Sequence, residues 1–285
     1  MVTAAPADTE LVDETFDSSQ SESYHLSIQT EADRVSYGVI NTVLKKYIVL
    51  RSYPLQKLRN DDINAAAIRS VFDSDELLRL NYKSCCHLLV SPRYTFVPEH
   101  LFVPAEAGAY LRFNLGEAAD EQALYHISRA LRAYHVFSCP EGLMTLLRTH
   151  QPRASFFHHS KPFVESVASN VQTGIAVYFH SKWMDVLVVK NKKFLFYNSF
   201  QINAPADSVY YLASAASMFD LPLSTTKLLY AGNIKQMPPE AAILKNYAGQ
   251  MSGCEPLGAV TYSHYITEPF RRSFVNLINS YGCES

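Results

Sequence analysis

Several short motifs bring together residue types that catalytic sites use, but none has the spacing that its chemistry requires. The stretch 249–253 (GQMSG) resembles a nucleophile elbow, yet its serine stands one position late for that motif. His158 and His159 are neighbours, and neighbouring side chains in a strand point to opposite sides, so they rarely share a metal ion. We expect both histidines at the surface or at the entry to a helix. A small-molecule hydrolase is an alternative that no complete motif supports.

The cysteines give no sign of a disulfide framework or a zinc site. Their odd number fits a protein of the reducing cytoplasm. Cys139 stands at a predicted helix start, where the pKa of a thiol can fall, but no partner histidine can be assigned. We therefore interpret it as structural. The chain contains Cys85, Cys86, Cys139, Cys254 and Cys283.

Composition predicts a folded protein with ample material for a core. Hydrophobic residues make up 48% of the 285 positions and charged residues 18%, which excludes a wholly disordered chain, a fibre and a coiled coil. The 25 basic and 27 acidic residues give a net charge of −2, so we expect no nucleic-acid partner. We also expect no targeting segment and no membrane span, because no apolar run approaches about 20 residues.

The order of predicted elements occurs twice along the chain. Residues 1–23 are acidic without Lys or Arg, and we expect them to form a disordered acidic tail. Strands at 24–30, 34–41 and 45–53 then predict an antiparallel meander, followed by a helix at 61–73 that Asp61 or Asp62 caps. A second meander is predicted at 173–180, 182–190 and 193–201, before a helix that begins at Pro205.

The third strands of the two meanders are similar at a constant offset. Residues 46–53 (KYIVLRSY) match 193–200 (KFLFYNSF), and 193 − 46 = 147. A meander, a helix and a further strand begin a ribonuclease-H-like half, and two such halves make an actin-like architecture. We predict an α/β protein with a first half at 24–170, carrying an insertion near 95–170, and a second half at 171–285.

Four segments of the second half carry a family resemblance: FLFYNSF at 194–200, Asp207 with YYL at 210–212, LYAGNI at 229–234 and LKNY at 244–247. The first half matches in layout and includes LFVP at 101–104. Together they resemble the uncharacterised domain-of-unknown-function family 3822, found chiefly in Bacteroidetes, over about residues 24–250. This resemblance implies the actin-like ATPase fold but no reaction, since the family's biochemical function is not established.

An actin-like ATPase holds its phosphates on two tight turns, one from each half, whose glycines let the backbone approach the ligand. In this sequence the first turn is acidic, with Glu31 beside Asp33, and neither turn contains glycine. We therefore predict degenerate phosphate loops. The residues that would line a nucleotide cleft are Thr30, Asp33, Ser181, Lys182, Gly232 and Asn233.

These observations favour a cytoplasmic protein-binding or scaffold protein, with no catalytic residue, metal or cofactor. The alternative is a nucleotide-binding protein or weak ATPase that holds ATP and Mg²⁺ in the cleft between the halves. The many tyrosines suggest a surface for another protein, because a tyrosine ring gives contact area while its hydroxyl stays wet. The candidates for such a surface are Tyr210, Tyr211, Tyr262 and Tyr265.

Overall fold

A computed structural model describes residues 5–55, 64–129, 131–232, 239–256 and 258–284. Its strands, in chain order, are β1 Thr9–Val12, β2 Tyr24–Thr30, β3 Arg34–Asn41, β4 Lys46–Pro54, β5 Ser84–Leu89, β6 Tyr94–Pro98, β7 Glu121–Ser128, β8 Ala133–Pro140, β9 Ser155–His158, β10 Gly174–Phe179, β11 Trp183–Lys190, β12 Lys193–Gln201, β13 Lys227–Gly232, β14 Gln250–Gly253 and β15 Thr261–Tyr262.

The α-helices, in chain order, are α1 Ala65–Ser74, α2 Ala107–Leu115, α3 Glu141–His150, α4 Ser160–Asn170, α5 Pro205–Met218, α6 Pro239–Leu244, α7 Glu268–Ser273 and α8 Val275–Asn279. Short 3₁₀ turns lie at Ser18–Ser23, Glu76–Arg79, Glu99–Leu101, Pro104–Glu106 and Ser280–Glu284. None of the described helices has both the length and the apolar character needed to cross a membrane.

The chain divides into two compact units. Unit 1 falls within Met1–Pro162, Gly258–Ile266 and Ser280–Ser285, and unit 2 within Phe163–Leu257 and Thr267–Asn279.

Unit 1 is built on a seven-stranded sheet with the order β1-β4-β3-β2-β5-β9, and β15 also pairs with β4. Strands β2, β3 and β4 form the expected antiparallel meander, while β5 and β9 continue the sheet in parallel. Strands β2 and β3 are buried along almost their whole length, on both faces of the sheet, and polar residues such as His25 and Ser27 are buried in β2. Helix α1 follows the meander, and Ile68, Val71 and Phe72 on one of its faces are buried.

Unit 2 repeats this arrangement in a five-stranded sheet with the order β12-β11-β10-β13-β14. Strands β10, β11 and β12 pair antiparallel, and β13 and β14 pair in parallel, as in unit 1. Leu212 and Ala216 of α5 lie in a core with Ile175, Val186 and Leu228 of the sheet.

The duplication extends to an irregularity in the strand pairing. In unit 1 the register of β3 and β4 shifts at Val39 and Ile40, so that Ile48 is bulged out. In unit 2 the register of β11 and β12 shifts at Val188 and Val189, and Leu195 is bulged out. Since 195 − 48 = 147, the bulge occurs at the offset found in the sequence. The two ribonuclease-H-like halves are confirmed.

The insertion in the first half is narrower than expected. Strands β6, β8 and β7 form a separate three-stranded sheet, with Leu111 of α2 packed among Val97 and Val136. We call residues 94–140 the inserted module. The chain then returns to the main sheet, where β9 pairs with β5. There, Phe157 of β9 packs with the buried side chains of Cys86 and Leu88 on β5.

The expected disordered tail is wrong for residues 5–23. Strand β1 pairs antiparallel with β4, from Thr9 opposite Ser52 to Val12 opposite Val49. The physical reason is charge complementarity, since the acidic residues of this segment meet basic residues of the meander. Asp8 lies 2.9 Å from Arg34, Glu10 lies 2.5 Å from Arg51, and Asp13 lies 2.8 Å from Lys46.

Two other boundaries also differ from the sequence interpretation. Residues 258–266 and 280–284, which were expected in the second half, belong to unit 1. Strand β15 pairs in parallel with β4, and Oγ of Ser280 lies 2.8 Å from Oγ of Ser27 on β2. Helix α1 begins at Ala65, where the side chain of Asn64 accepts a hydrogen bond from the backbone N–H of Ala67. The expected caps Asp61 and Asp62 lie outside the described residues.

Candidate functional site

The first phosphate-turn equivalent, residues 31–33, joins β2 to β3 in unit 1. The backbone N–H of Glu31 donates to the carbonyl of Arg34 at 2.9 Å, and that of Leu55 donates to the carbonyl of Asp33 at 2.8 Å. Thr30 is fully buried at the end of β2, and its Oγ1 has no hydrogen-bond partner among the described residues. The turn is thus tightly closed without a glycine.

The first turn is a poor place for a phosphate because of its charge. The side-chain amide of Gln29 donates to Oε1 of Glu31 at 2.8 Å. Burial and then the neighbouring charge of Asp33 raise the pKa of Glu31 above its ordinary value. A phosphate placed here adds negative charge to a turn that already holds two carboxyl groups and whose ends bring no basic side chain except Arg34.

The second phosphate-turn equivalent, residues 180–182, joins β10 to β11 in unit 2 and repeats the hydrogen bonds of the first. The backbone N–H of His180 donates to the carbonyl of Trp183 at 2.9 Å, and that of Ile202 donates to the carbonyl of Lys182 at 2.8 Å. Ser181 and Lys182 are exposed at the tip of the turn. The two turns therefore share their geometry but carry opposite charge.

A buried carboxylate lies directly behind the second turn. Asp185 on β11 is fully buried; its Oδ2 lies 2.8 Å from Nε2 of His180, and its Oδ1 accepts a hydrogen bond from Oγ of Ser199 at 2.5 Å. Activation of a serine nucleophile requires a base bonded to its hydroxyl, with the carboxylate behind the base. Here the carboxylate lies between the histidine and the serine, so these contacts do not form a catalytic triad.

Sequence reasoning did not identify the contacts of Asp185 with His180 and Ser199. One signal was present, since Asp185 is the single charged residue inside the apolar run 184–189. Such a residue in a buried strand needs hydrogen-bond partners from neighbouring elements. Those partners come from the turn before the strand and from β12, which periodicity within β11 alone does not identify.

Gly232 has a structural reason to be glycine that is independent of any ligand. It adopts a φ of +117°, and a Cβ built there would lie 2.2 Å from the carbonyl oxygen of Phe179 on the paired strand β10. Asn233, the next candidate in the sequence, lies outside the described residues.

The candidate residues form one group in each unit. In unit 1, Thr30 and Asp33 flank the first turn. In unit 2, Ser181 and Lys182 form the second turn, while Gly232 pairs with Phe179, the last residue of β10. In each unit, the candidate residues therefore lie where the first strand of the meander ends.

The neighbouring histidines were expected at the surface or at the entry to a helix. The structure confirms the helix entry, and the surface position is wrong. His158 and His159 directly precede α4, and both are fully buried. Nδ1 of His158 lies 2.6 Å from Oγ of Ser160, and its Nε2 lies 2.8 Å from the backbone carbonyl of Ser91. These bonds anchor the start of the helix.

Cys139 is buried in β8, as a structural interpretation requires. Burial raises the pKa of its thiol to about 12, so the group is protonated at neutral pH. It is therefore not an activated nucleophile.

One cluster in unit 1 has donors that metals use, but an ammonium group already contacts one of its carboxylates. Asp13, Glu14 and His264 bring one ligand atom each within 4.8 Å of one another. Nζ of Lys46 lies 2.8 Å from Asp13, and the hydroxyl of Tyr265 donates to Glu14 at 2.5 Å. We interpret the cluster as the polar anchor of β1 and β15 on the sheet.

Comparison with known proteins agrees with this fold. The chain matches the family model described as "Protein of unknown function (DUF3822)" over residues 13–250. A protein from Bacteroides thetaiotaomicron with actin-like ATPase fold and unknown function is similar in structure, with a TM-score of 0.74 and 20% identity, over 84% of this chain and 93% of that chain.

A chain of the PilM–PilN type IV pilus biogenesis complex is also similar, with a TM-score of 0.56 and 12% identity, over 92% of this chain and 99% of that chain. No curated protein matches. The chain belongs to the DUF3822 family of proteins of unknown function and has the actin-like ATPase fold, built from two ribonuclease-H-like halves whose phosphate loops are degenerate.

Proposed function

We propose that this protein acts by binding another protein and does not hydrolyse a nucleotide. One observation carries the proposal: the turns at residues 31–33 and 180–182 keep their backbone hydrogen bonds but lack glycine, and the first carries two carboxyl groups. Phosphate binding by backbone N–H groups needs close approach and a favourable local charge. The first turn provides neither.

Exposed aromatic and apolar side chains support a protein-binding role. Phe113 on α2 of the inserted module is 90% exposed, and Leu101, Val103 and Tyr125 of the same module are also exposed. Tyr210 on α5 is 68% exposed, in line with its place among the candidate interface tyrosines. Large exposed side chains of this kind are enriched at protein interfaces.

Two further observations are consistent with the proposal. The PilM–PilN structure is a complex of two proteins in type IV pilus biogenesis, and one of its chains resembles this chain in fold. All five cysteines are free and buried, which fits action in the reducing cytoplasm.

Thermal melting with and without Mg²⁺ and ATP tests the proposal. A ligand at 100 times its dissociation constant adds about 2.7 kcal/mol of stability, which raises the melting temperature by several degrees. We expect no shift with 5 mM ATP and 10 mM MgCl₂, and no release of inorganic phosphate. A saturable shift with phosphate release would contradict the proposal.

A variant sharpens this test. Glu31→Gln combined with Asp33→Asn removes both carboxylates from the first turn and leaves its backbone hydrogen bonds in place. Weak binding of ATP by this variant, with none by the natural protein, would assign the lost affinity to charge. Equal binding by both proteins would show that the charge of the turn is irrelevant.

A further inference from the structure

The same edge of the sheet carries paired strands in unit 1, whereas no described strand pairs with it in unit 2. Strand β4, the third strand of the first meander, pairs with β3 on one side and with β1 and β15 on the other. Strand β12 holds the equivalent place in unit 2, and within the described part of the chain it pairs with β11 alone. The pairing of β1 with β4 in unit 1 therefore serves as a template for a segment that pairs with β12 in unit 2.

Strand β1 shows in which register a segment pairs with this edge. The backbone N–H of Asp8 donates to the carbonyl of Ser52, and that of Asp13 donates to the carbonyl of the bulged residue Ile48 at 2.8 Å. The bulge therefore does not prevent a strand from pairing. At an offset of 147, Ile48 corresponds to Leu195, which is 38% exposed on β12.

Charge at the start of the strand points to the kind of segment that fits. In unit 1, Lys46 opens β4 and pairs with Asp13, which follows directly after β1. The corresponding residue in unit 2 is Lys193, which is exposed and makes no ion pair with any described residue. The rest of β12, residues 194–201, has no charge, whereas natural edge strands usually carry charged residues that discourage pairing.

We propose that the edge of β12 binds an extended segment of a partner protein, antiparallel to β12. The segment is apolar where it crosses Phe196 and Tyr197, as β1 is at Leu11 and Val12, and it ends on an Asp or Glu that pairs with Lys193. This inference rests on the proposed function, because it names the kind of segment that a protein-binding role would recruit.

A second copy of the chain fits this edge less well. If two β12 strands paired antiparallel about Tyr197, Lys193 of each copy would face Gln201 of the other. Such a dimer satisfies backbone groups but offers no carboxylate to Lys193. Charge complementarity therefore favours an acidic segment of a different protein.

A synthetic peptide of residues 6–16 (PADTELVDETF), the segment that covers β4, serves as the probe. Its binding to the full chain is measured by fluorescence anisotropy at low salt. We expect saturable binding that weakens at least tenfold in Lys193→Glu and in Leu195→Pro, since proline is disfavoured in a strand that pairs on both sides. Lys245→Glu, at an exposed lysine of unit 2 outside β12, makes the same charge change and should leave affinity within twofold.

A charge swap makes the test independent of any loss of folding. A peptide with lysine at the position of Asp13 should fail to bind the natural protein and should bind Lys193→Glu. Absence of binding up to 1 mM peptide, or binding that neither variant alters, would overturn the proposal. A concentration-dependent dimer that Leu195→Pro abolishes and Lys193→Glu leaves intact would overturn it in favour of a second copy.

The nucleotide experiment remains a separate test. If Mg²⁺-ATP binds and is hydrolysed while the peptide behaves as expected, the non-catalytic role fails and the β12 site stands. If neither ligand binds, the β12 site fails and the absence of nucleotide chemistry stands.

Discussion

Unit 1 and unit 2 share a strand order and a bulge, but they stabilise the same positions in different ways. In unit 1, Asp75 is buried after α1 and accepts hydrogen bonds from Tyr37 at 2.6 Å, Tyr53 at 2.7 Å and Arg51 at 3.0 Å. The corresponding positions of the unit 2 sheet, read from the two registers, are Val186, Phe200 and Asn198.

This difference shows that strand topology does not determine what fills the space beside the sheet. A buried ionic network is costly to desolvate and is sensitive to the loss of any one member, whereas an apolar core responds mainly to changes of volume. The same fold therefore presents different weak points in its two halves. Each prediction below tests that contrast.

The largest expected effect is in unit 1. Asp75→Ala leaves Arg51 partly buried without this partner and removes the acceptor of two tyrosine hydroxyls, so we expect a loss of about 3–5 kcal/mol. Hydrogen–deuterium exchange should rise in β3, β4 and α1 first. Asp73→Ala, at an exposed position near the end of α1, is the control and should change stability by less than about 0.5 kcal/mol. A loss below about 1 kcal/mol for Asp75→Ala would contradict the network's importance.

The corresponding weak point of unit 2 is steric. Gly232→Ala places a Cβ against the backbone of Phe179 at a positive φ, and we expect a loss of about 3 kcal/mol with faster exchange in β10 and β13. Gly142→Ala is the matched control, because a Cβ there meets nothing within 4 Å and the residue lies in α3. That change should be neutral or stabilising by up to about 1 kcal/mol. Equal effects from both changes would refute the close approach.

Acidification should affect unit 1 more than unit 2. Unit 2 contains His180 as its one histidine, out of ten in the chain. In unit 1, burial lowers the pKa of His87 to about 3 and, together with the charge of Lys161, that of His126 to about 3. Their unfolded pKa is about 6.5, so the unfolded state binds more protons below that pH.

The stability contributed by these neutral histidines is therefore full above about pH 6.5 and is lost as the pH falls toward 3. At pH 5 the loss is about 2 kcal/mol for the fully buried His87. Exchange rates corrected for intrinsic pH dependence should rise in unit 1 between pH 7 and pH 5, and His87→Phe should reduce the rise. A larger rise in unit 2 would contradict the contrast.

The smallest expected difference lies at the two meander edges. Lys46→Met removes the partner of Asp13, and we expect a loss of about 1 kcal/mol with faster exchange in β1. The equivalent change Lys193→Met removes no ion pair with a described residue and should be neutral in the absence of a partner protein. Equal losses from the two variants would mean that the ion pair does not anchor β1.

This contribution also has a defined pH range. Burial opposes the charge of Asp13, but hydrogen bonds from Lys46 and Thr15 hold its pKa well below the usual range. The folded pKa is depressed, so its stability is present above the unfolded value of about 3.9 and is lost as the pH falls below it.

The sequence predicted the elements whose signals are local or repeated. Strand patterning and duplication are visible in residues close together in the chain. The sequence therefore predicted the meanders, the offset between Lys46 and Lys193, and the glycine-free turns. The pairing of β1 and β15 with β4 was not, because it joins residues far apart in the chain. Acidic residues at 8–14 have the same composition whether they are solvated or paired with lysine and arginine of a distant strand.

The site shows the same limit. The charge of the first turn and the absence of glycine were evident, but the contacts of Asp185 with His180 and Ser199 depend on strand register. The reason for Gly232, a close approach to Phe179, is also a matter of pairing between strands. Residue types therefore predicted that the turns lack glycine, whereas the structure was needed to find the contacts of Asp185 and the close approach at Gly232.

Direct measurement of nucleotide binding tests the central claim most closely. Isothermal titration calorimetry of the full chain with Mg²⁺-ATP and Mg²⁺-ADP should give no heat beyond dilution up to 1 mM ligand, because the fold has kept its phosphate turns without their binding chemistry. Saturable one-site binding to the natural protein, weakened at least tenfold by Lys182→Ala, would contradict that account.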